Sequence, residues 1–146
     1  MASRRRAREF AVQALYQADL SGTTVSVALN SLWAGIMDGE GIDDLRPPVS
    51  EEMEFAQRLA HGVEQRLDEI DSLIEGSSTN WRLARMPLVD RNILRIAVFE
   101  LMACDDIPPN VSINEAVELA KRFGATESRA FVNGIIDKIR RRLQRI

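Results

Sequence analysis

The chain has 146 residues, a length that favours one domain with a core of ordinary size. Its 45% hydrophobic and 28% charged residues are typical of a globular protein and argue against a disordered one. It holds a single cysteine, Cys104, and a single histidine, His61, which excludes an intrachain disulfide and makes a structural zinc site implausible. No apolar run approaches the ~20 residues of a membrane span, and no signal peptide is visible behind the basic start. We therefore expect a cytoplasmic protein without a membrane partner.

Charge is distributed unevenly along the chain. The formal net charge is −3, yet residues 1–10 carry +3, residues 121–146 carry +6 and residues 11–120 carry −12. A polyanion responds to a local patch rather than to the total charge, so two basic ends remain compatible with a nucleic-acid partner. The alternative is that both ends are only solvated and frayed.

Helical periodicity runs through most of the chain, and strand alternation is nearly absent. We predict helices over residues 4–20, 25–37, 50–75, from 87 to the Pro108-Pro109 break, 112–123, and from 126 or 128 to about 144. The fourth helix is apolar over a wide arc, which predicts the most buried position. Ser112 and Glu115 fit a capping box at the start of the fifth helix. Six or seven such helices with short loops predict an all-α fold, with one domain over residues 1–146.

Two helices present candidate contact groups outside their core stripes. On a wheel of 100° per residue, four side chains of the first helix fall roughly 100–180° from Ala7, namely Arg5, Arg8, Val12 and Tyr16. On the last helix, Phe131 lies on a flank at about the angle of Lys138 and Arg142. An aromatic ring beside cations is suited to single-stranded RNA, because bases stack on the ring while cations hold phosphates. The alternative is that Tyr16 and Phe131 are rim residues of the core.

The turn between the last two helices adds further cations. Lys121, Arg122 and Arg129 surround it, and the free amides at the start of the last helix can also hold a phosphate. Glu127 opposes an anion at this place, so it would lower the affinity. The basic ends are thus predicted to come together on one side, with Phe131 among them.

No arrangement for catalysis is present in the sequence. There is no Gly-rich phosphate loop, and no nucleophile, base and orienting group can be assembled from the predicted helices. Cys104 and His61 lie on different predicted helices and are expected to be structural. We therefore predict a protein that is not an enzyme and needs no cofactor or metal.

Several motifs together resemble the NusB family of bacterial transcription antitermination factors. They are RRRARE at 4–9, AVQALY at 11–16, NWRL at 80–83, VDRNILRIA at 89–97, INEAVELAKRFG at 113–124 and FVNG at 131–134. The resemblance covers nearly the whole chain and is weakest over residues 22–52. It implies an all-α fold of two packed three-helix sub-bundles. It also implies binding of boxA RNA together with NusE, a ribosomal protein of the small subunit, on the RNA polymerase elongation complex during rRNA synthesis.

The resemblance further implies roles for particular residues. The RNA-facing regions correspond to the first helix and the last turn, with Arg4, Arg5, Arg6, Arg8, Lys121, Glu127, Arg129 and Phe131. The helix that begins near Val89 faces the protein partner, which makes Asp90 and Arg91 candidates. Ala130 departs from the lysine that is frequent before FVNG, so one phosphate contact is expected to be missing or moved to Arg129.

Two other interpretations stay open on the sequence alone. One is a detached RNA-binding module related to the front of certain rRNA cytosine methyltransferases, although no nucleotide-binding α/β domain follows in this chain. The other is a helical scaffold that binds only proteins, with a homodimer through the same exposed patches as one form of it.

Overall fold

Seven α-helices and one 3-10 turn make up the secondary structure of the computed structural model, which describes residues 2–37, 46–79 and 82–144. The helices are α1 (Arg4–Ser21), α2 (Val25–Met37), α3 (Ser50–Gln65), α4 (Leu67–Ser77), α5 (Leu88–Ala103), α6 (Pro109–Phe123) and α7 (Ser128–Leu143), with the 3-10 turn at Leu83–Arg85. No strand occurs in these ranges, so the all-α prediction is confirmed. Residues 80 and 81 of the NWRL motif lie outside the described residues.

The ends of α1 form as local sequence predicts. Ser3 precedes the helix, and its side-chain oxygen accepts a hydrogen bond from the backbone N–H of Arg6 at 3.1 Å. Gly22 ends the helix with φ of 69°, a left-handed conformation that glycine adopts without a Cβ clash. The first turn of α1 is therefore held in place just where its arginines begin.

One compact unit comprises residues 1–64 and contains α1 and α2 with all but the last residue of α3. Its core includes Phe10, Leu15, Leu29 and Leu59, all of them buried. The Phe10 and Trp33 rings meet edge to face with centroids 5.5 Å apart, which joins α1 to α2.

The second compact unit comprises residues 65–146 and contains four helices. The prediction of one helix from 50 to 75 was wrong, because the backbone leaves the helical conformation at Arg66, with φ of −116° and ψ of 24°. Neither glycine nor proline occupies this position, so no helix-breaking residue in the sequence marks the break. It coincides with the passage of the chain from one unit to the other.

Helix α5 is the central helix of the second unit and packs against α4, α6 and α7. Ile93, Leu94 and Val98 are completely buried, which confirms the prediction made from its wide apolar arc.

The predicted capping box at Ser112 was wrong, because α6 already begins at Pro109. Proline fits this first helical position. The Ser112 hydroxyl instead donates to the buried carboxylate of Glu100 at 2.8 Å.

Candidate nucleic-acid interface

Four arginines in the first two turns of α1 form what we call the N-terminal arginine cluster, Arg4, Arg5, Arg6 and Arg8. Arg4 and Arg5 are exposed. Arg6 and Arg8, in contrast, are only 8% and 3% exposed. The cluster thus divides into two side chains that solvent reaches and two that belong to the interior of the unit.

Arg6 is buried because it pairs with Glu52 at the start of α3. Its Nη1 lies 3.3 Å from Glu52 Oε1, and the Arg46 guanidinium reaches the other carboxylate oxygen at 2.7 Å. The backbone N–H groups of Ser3 and Val49 also donate to this carboxylate, at 2.8 and 3.0 Å. Burial by itself would raise the pKa of Glu52, but these hydrogen bonds and the charge of Arg46 lower that pKa to about 2. Glu52 is therefore an ionised, fully buried group that holds the start of α1 against α3.

Arg8 is buried against an aromatic ring. Its guanidinium carbon lies 5.4 Å from the centroid of Phe55, and the corresponding atoms of Arg4 and Arg58 lie 4.4 and 5.9 Å from the same ring. Three cations thus share one ring of α3, an arrangement that cation–π attraction stabilises. The prediction that Arg8 faces away from the core was wrong.

The predicted contact strip along α1 does not exist as a whole. Val12 is only 2% exposed and belongs to the core, whereas Tyr16 is half-buried. The wheel placed these residues on the outside because it assumed one buried face. Helix α1 has two neighbours inside its unit, since Phe10 contacts Trp33 of α2 and Arg8 contacts Phe55 of α3.

A second cationic region lies at the end of α6 and the start of α7, and we call it the turn surface. Its members are Lys121, Arg122, Glu127, Arg129 and Phe131. The four charged members are exposed, and Phe131 is half-buried, as expected for a ring on the flank of α7. Lys138, further along α7, is exposed as well. The turn surface therefore combines exposed cations at the α6–α7 turn with a partly accessible ring in the first turn of α7.

Buried hydrogen bonds hold the α6–α7 turn in one conformation. The Ser128 oxygen accepts from the backbone N–H of Ala125 at 2.9 Å, and its hydroxyl donates to Asp90 Oδ2 at 3.0 Å. A Cβ added at Gly124 would lie 2.5 Å from the Ser128 Cβ and 2.8 Å from the Ala120 carbonyl oxygen, so only glycine fits there. The turn surface is consequently carried by a backbone that is tied to the start of α5.

Asp90, expected to contact a protein partner, lies in the interior and is 3% exposed. Burial raises the pKa of this carboxyl above its usual range, and the hydrogen bond from Ser128 opposes the shift. Its Oδ1 has no hydrogen-bond partner among the described residues. The Asp90 side chain is therefore too buried to contact a protein partner directly. The neighbouring Arg91 is half-buried and donates to the Leu83 carbonyl at 3.2 Å.

The arginine-rich end of α7 is partly engaged within its own unit. Arg142 donates to the Ser77 hydroxyl oxygen at 3.1 Å, at the C-terminal end of α4 where a cation is favoured. Arg141 pairs with Asp137 at 2.6 Å on the exposed side of α7. Two of the three consecutive arginines thus have partners on the protein.

The single cysteine and the single histidine lie in different surroundings. Cys104 is buried, and His61 is half-buried with its Nδ1 3.9 Å from a Glu64 oxygen. Within the described residues, no group of three or more histidine, cysteine or acidic side chains is arranged to hold a metal ion. In the same part of the chain, no helix has the length and apolarity to cross a membrane.

Sequence reasoning found the turn surface but missed the supports beneath both regions. Glu52 reads as an ordinary acid in the first turn of a helix, and Ser128 as an ordinary residue at a helix start. Only tertiary contacts show that Glu52 binds Arg6 and that Ser128 binds Asp90. The N-terminal arginine cluster and the turn surface belong to different units, and their convergence on one side stays a prediction.

Known proteins similar to this chain point to one family. The NusB family profile matches residues 5–141. The transcription antitermination protein NusB of Myxococcus xanthus (strain DK1622) is 48% identical over 139 residues, which are 95% of each chain. A solved structure of NusB from T. maritima is 36% identical, with a TM-score of 0.81 over 97% of this chain and 93% of that chain. A crystal structure of the antitermination factors NusB and NusE with dsRNA is 27% identical, with a TM-score of 0.79 over 95% of this chain and 96% of that chain. The chain therefore belongs to the NusB family.

Proposed function

We propose that this protein is a transcription antitermination factor that binds boxA RNA together with NusE and joins the RNA polymerase elongation complex during rRNA synthesis. It acts as an adaptor without catalysis or cofactor, in the cytoplasm where transcription takes place. The observation that carries the proposal is the turn surface, which has exposed cations and a half-buried Phe131 at a turn held by Ser128. Family membership supports the same conclusion.

The turn surface supplies the two interactions that an unpaired RNA strand needs. Lys121, Arg122 and Arg129 are exposed cations for phosphates. The Phe131 ring offers a face on which a base stacks, worth roughly 1–3 kcal/mol per base. Lys138 lies further along the same helix and extends the cationic surface. Glu127 repels phosphate and keeps the affinity of this turn moderate.

The N-terminal arginine cluster contributes to RNA binding in two ways. Arg4 and Arg5 are exposed and contact phosphates or bases. Arg6 and Arg8 act as positioning residues, since Glu52 and Phe55 occupy their guanidinium groups. Tyr16 remains half-buried and adds a partly accessible ring two turns beyond Arg8.

Association with NusE is proposed from the similar structure that contains both proteins and dsRNA. The start of α5 is assigned to this contact, with Arg91 as the direct candidate. Asp90 is too buried for direct contact and supports the region through Ser128. Such a joint surface would let the protein partner and the RNA reinforce each other's binding.

A mobility-shift titration tests the proposed function. A boxA strand and a scrambled strand of the same composition are titrated with and without NusE, at two salt concentrations. We expect tighter binding of boxA, a further gain with NusE, and weakening with salt as counterions compete. Equal binding of both strands under all conditions would leave only a nonspecific cationic surface and would refute the proposal.

A protein-binding scaffold is the second candidate, favoured by one observation. Leu20 and Val27 are 62% and 54% exposed at the α1–α2 turn, where large apolar side chains gain from being covered. Size-exclusion chromatography with and without RNA separates the two candidates. A stable dimer that ignores RNA would favour the scaffold, whereas an RNA-dependent shift in elution would favour the adaptor.

A further inference from the structure

A cavity of about 310 Å³ opens between the start of α1 and the first two turns of α3. It lies entirely within the unit of residues 1–64. Five side chains in its lining can contact a ligand, namely Arg4, Glu51, Glu54, Phe55 and Arg58. A volume of this size is at the lower end for small-ligand sites, so it suits one planar group better than a length of strand.

One wall of the cavity is the Phe55 ring with two arginines over it. The guanidinium carbon of Arg4 lies 4.4 Å from the Phe55 centroid, and that of Arg58 lies 5.9 Å from it. Phe55 itself is nearly buried, while Arg4 and Arg58 are exposed. A guanidinium held by a ring on one side is a platform on which a nucleobase stacks from the other side.

The acidic residues in the lining decide which part of a nucleotide fits. Glu51 and Glu54 are exposed residues of α3, and their carboxylates repel a phosphate. They accept hydrogen bonds only, so they favour a base edge that donates. Glu52, also in the lining, is already occupied by Arg6 and Arg46. Guanine has adjacent N1–H and N2–H donors that two carboxylate oxygens can accept. In uracil the single N3–H lies between two carbonyl oxygens, which repel a carboxylate.

We propose that this cavity is a subsite for one unpaired nucleobase, with guanine preferred over uracil. The base stacks on the Arg4 guanidinium above Phe55, and the carboxylates of Glu51 and Glu54 accept from its donor edge. The flanking phosphates stay outside the cavity, near Arg4 and Arg5. The inference rests on the proposed function, in which this protein binds RNA. It adds a base preference at the start of α1.

The direct test uses mononucleotides and the whole protein. Titration of ¹⁵N-labelled protein with millimolar GMP or UMP is followed by NMR. We expect GMP to shift the amide signals of residues 51–58 about fivefold or more beyond UMP, the lower bound for a base read by two hydrogen bonds. Equal shifts with the two nucleotides, or no shift in this segment, would overturn the proposal.

Matched variants then locate the effect. The double change Glu51→Gln and Glu54→Gln is expected to abolish the preference for GMP, and Arg58→Gln to weaken GMP binding about fivefold. Glu69→Gln and Arg66→Gln are the controls, because these residues form an exposed ion pair on α4 and its preceding residue, outside the cavity. If the control changes reduce the GMP response as much as the cavity changes do, the assignment of the site is wrong.

RNA titrations separate this proposal from the proposed function. Oligouridine with one central guanosine is compared with plain oligouridine, using wild type and the Glu51/Glu54 double variant. We expect the guanosine to tighten binding to wild type and to have no such effect on the variant. An unchanged preference in the variant would overturn the cavity proposal while RNA binding itself stands. A GMP response in the cavity of a protein that binds no RNA would support the subsite and refute the proposed function.

Discussion

Arg6 of α1 and Glu52 of α3, 46 positions apart in the chain, form a buried ion pair with Nη1 3.3 Å from Oε1. The pair occupies the guanidinium group of one arginine in the RNA-facing set that the resemblance implies. In return it holds the first turn of α1, from which Arg4 and Arg5 reach solvent. Arg6 thus has a structural role, whereas the adjacent Arg4 and Arg5 are the ones we propose for RNA contact.

Glu52→Gln tests the support directly. The pKa of Glu52 is lowered from 4.5 to about 2, so the folded state favours its ionised form. We expect the variant to lose on the order of 3 kcal/mol of stability at pH 7. The contribution is complete above the unfolded-state pKa and is lost as pH falls from about 4.5 toward 2. Denaturant unfolding at pH 7, 4.5 and 3 should show the unfolding free energies of wild type and variant approaching each other as the pH falls. A difference that stays constant with pH would contradict the role given to the ionised Glu52.

Arg6→Gln is expected to lower stability, whereas Arg5→Gln is expected to weaken RNA binding. Arg6→Gln should lower the free energy of unfolding by about 2 kcal/mol, less than for a fully broken buried pair because Arg46 still contacts Glu52. Arg5→Gln should leave thermal unfolding unchanged and weaken RNA binding at low salt. Thermal unfolding and RNA titration of both variants provide the comparison. A drop in RNA affinity for a fully stable Arg6→Gln would instead make Arg6 a direct contact.

Phe131→Ala should weaken boxA binding in the presence of NusE by roughly 1–3 kcal/mol, because one stacked base loses its ring. Phe131→Tyr keeps the ring and is the matched control. Fluorescence anisotropy gives both affinities, and the melting temperature shows whether the half-buried ring also matters for folding. Wild-type affinity in the alanine variant would remove Phe131 from the interface.

Two neutralising changes in the turn surface should act in opposite directions. Arg129→Gln removes a phosphate contact, so the slope of log affinity against log salt should become shallower by about 0.7 for a single strand. Glu127→Gln removes a repulsion and should tighten binding. Titration over a range of salt concentrations measures both effects. Equal slopes for Arg129→Gln and wild type would mean that Arg129 holds no phosphate.

Asp90→Asn should stabilise the protein at neutral pH. Burial raises the pKa of Asp90, so its ionised form costs stability in the folded state. That cost is absent below the unfolded-state pKa, grows as the pH rises from there to the raised value, and is complete above it. Thermal unfolding at pH 3.5 and 7 should therefore show a gain for the variant only at pH 7. Asp68→Asn, on the exposed side of α4, is the control for the loss of one charge.

Much of the architecture follows from local pattern. The start and end of α2 coincide with the prediction. Helix α1 ends at Ser21, because Gly22 after it adopts a left-handed φ that suits glycine. The wide apolar arc of α5 correctly predicted its central position. Repeated apolar spacing and turn residues specify such features because they act over a few residues. The same local rules failed at Arg66, where no breaker residue marks the bend.

The sequence by itself determined the all-α class, most helix bounds, the two basic ends and the exposed cations of the turn surface. Only the tertiary structure decided that Arg6, Arg8, Val12 and Asp90 lie inside. The reason is that a helical wheel describes one helix, whereas burial depends on every helix packed around it. Glu52 and Phe55 belong to α3, far along the chain from the arginines they contact. The spacing of residues within α1 therefore cannot predict these contacts.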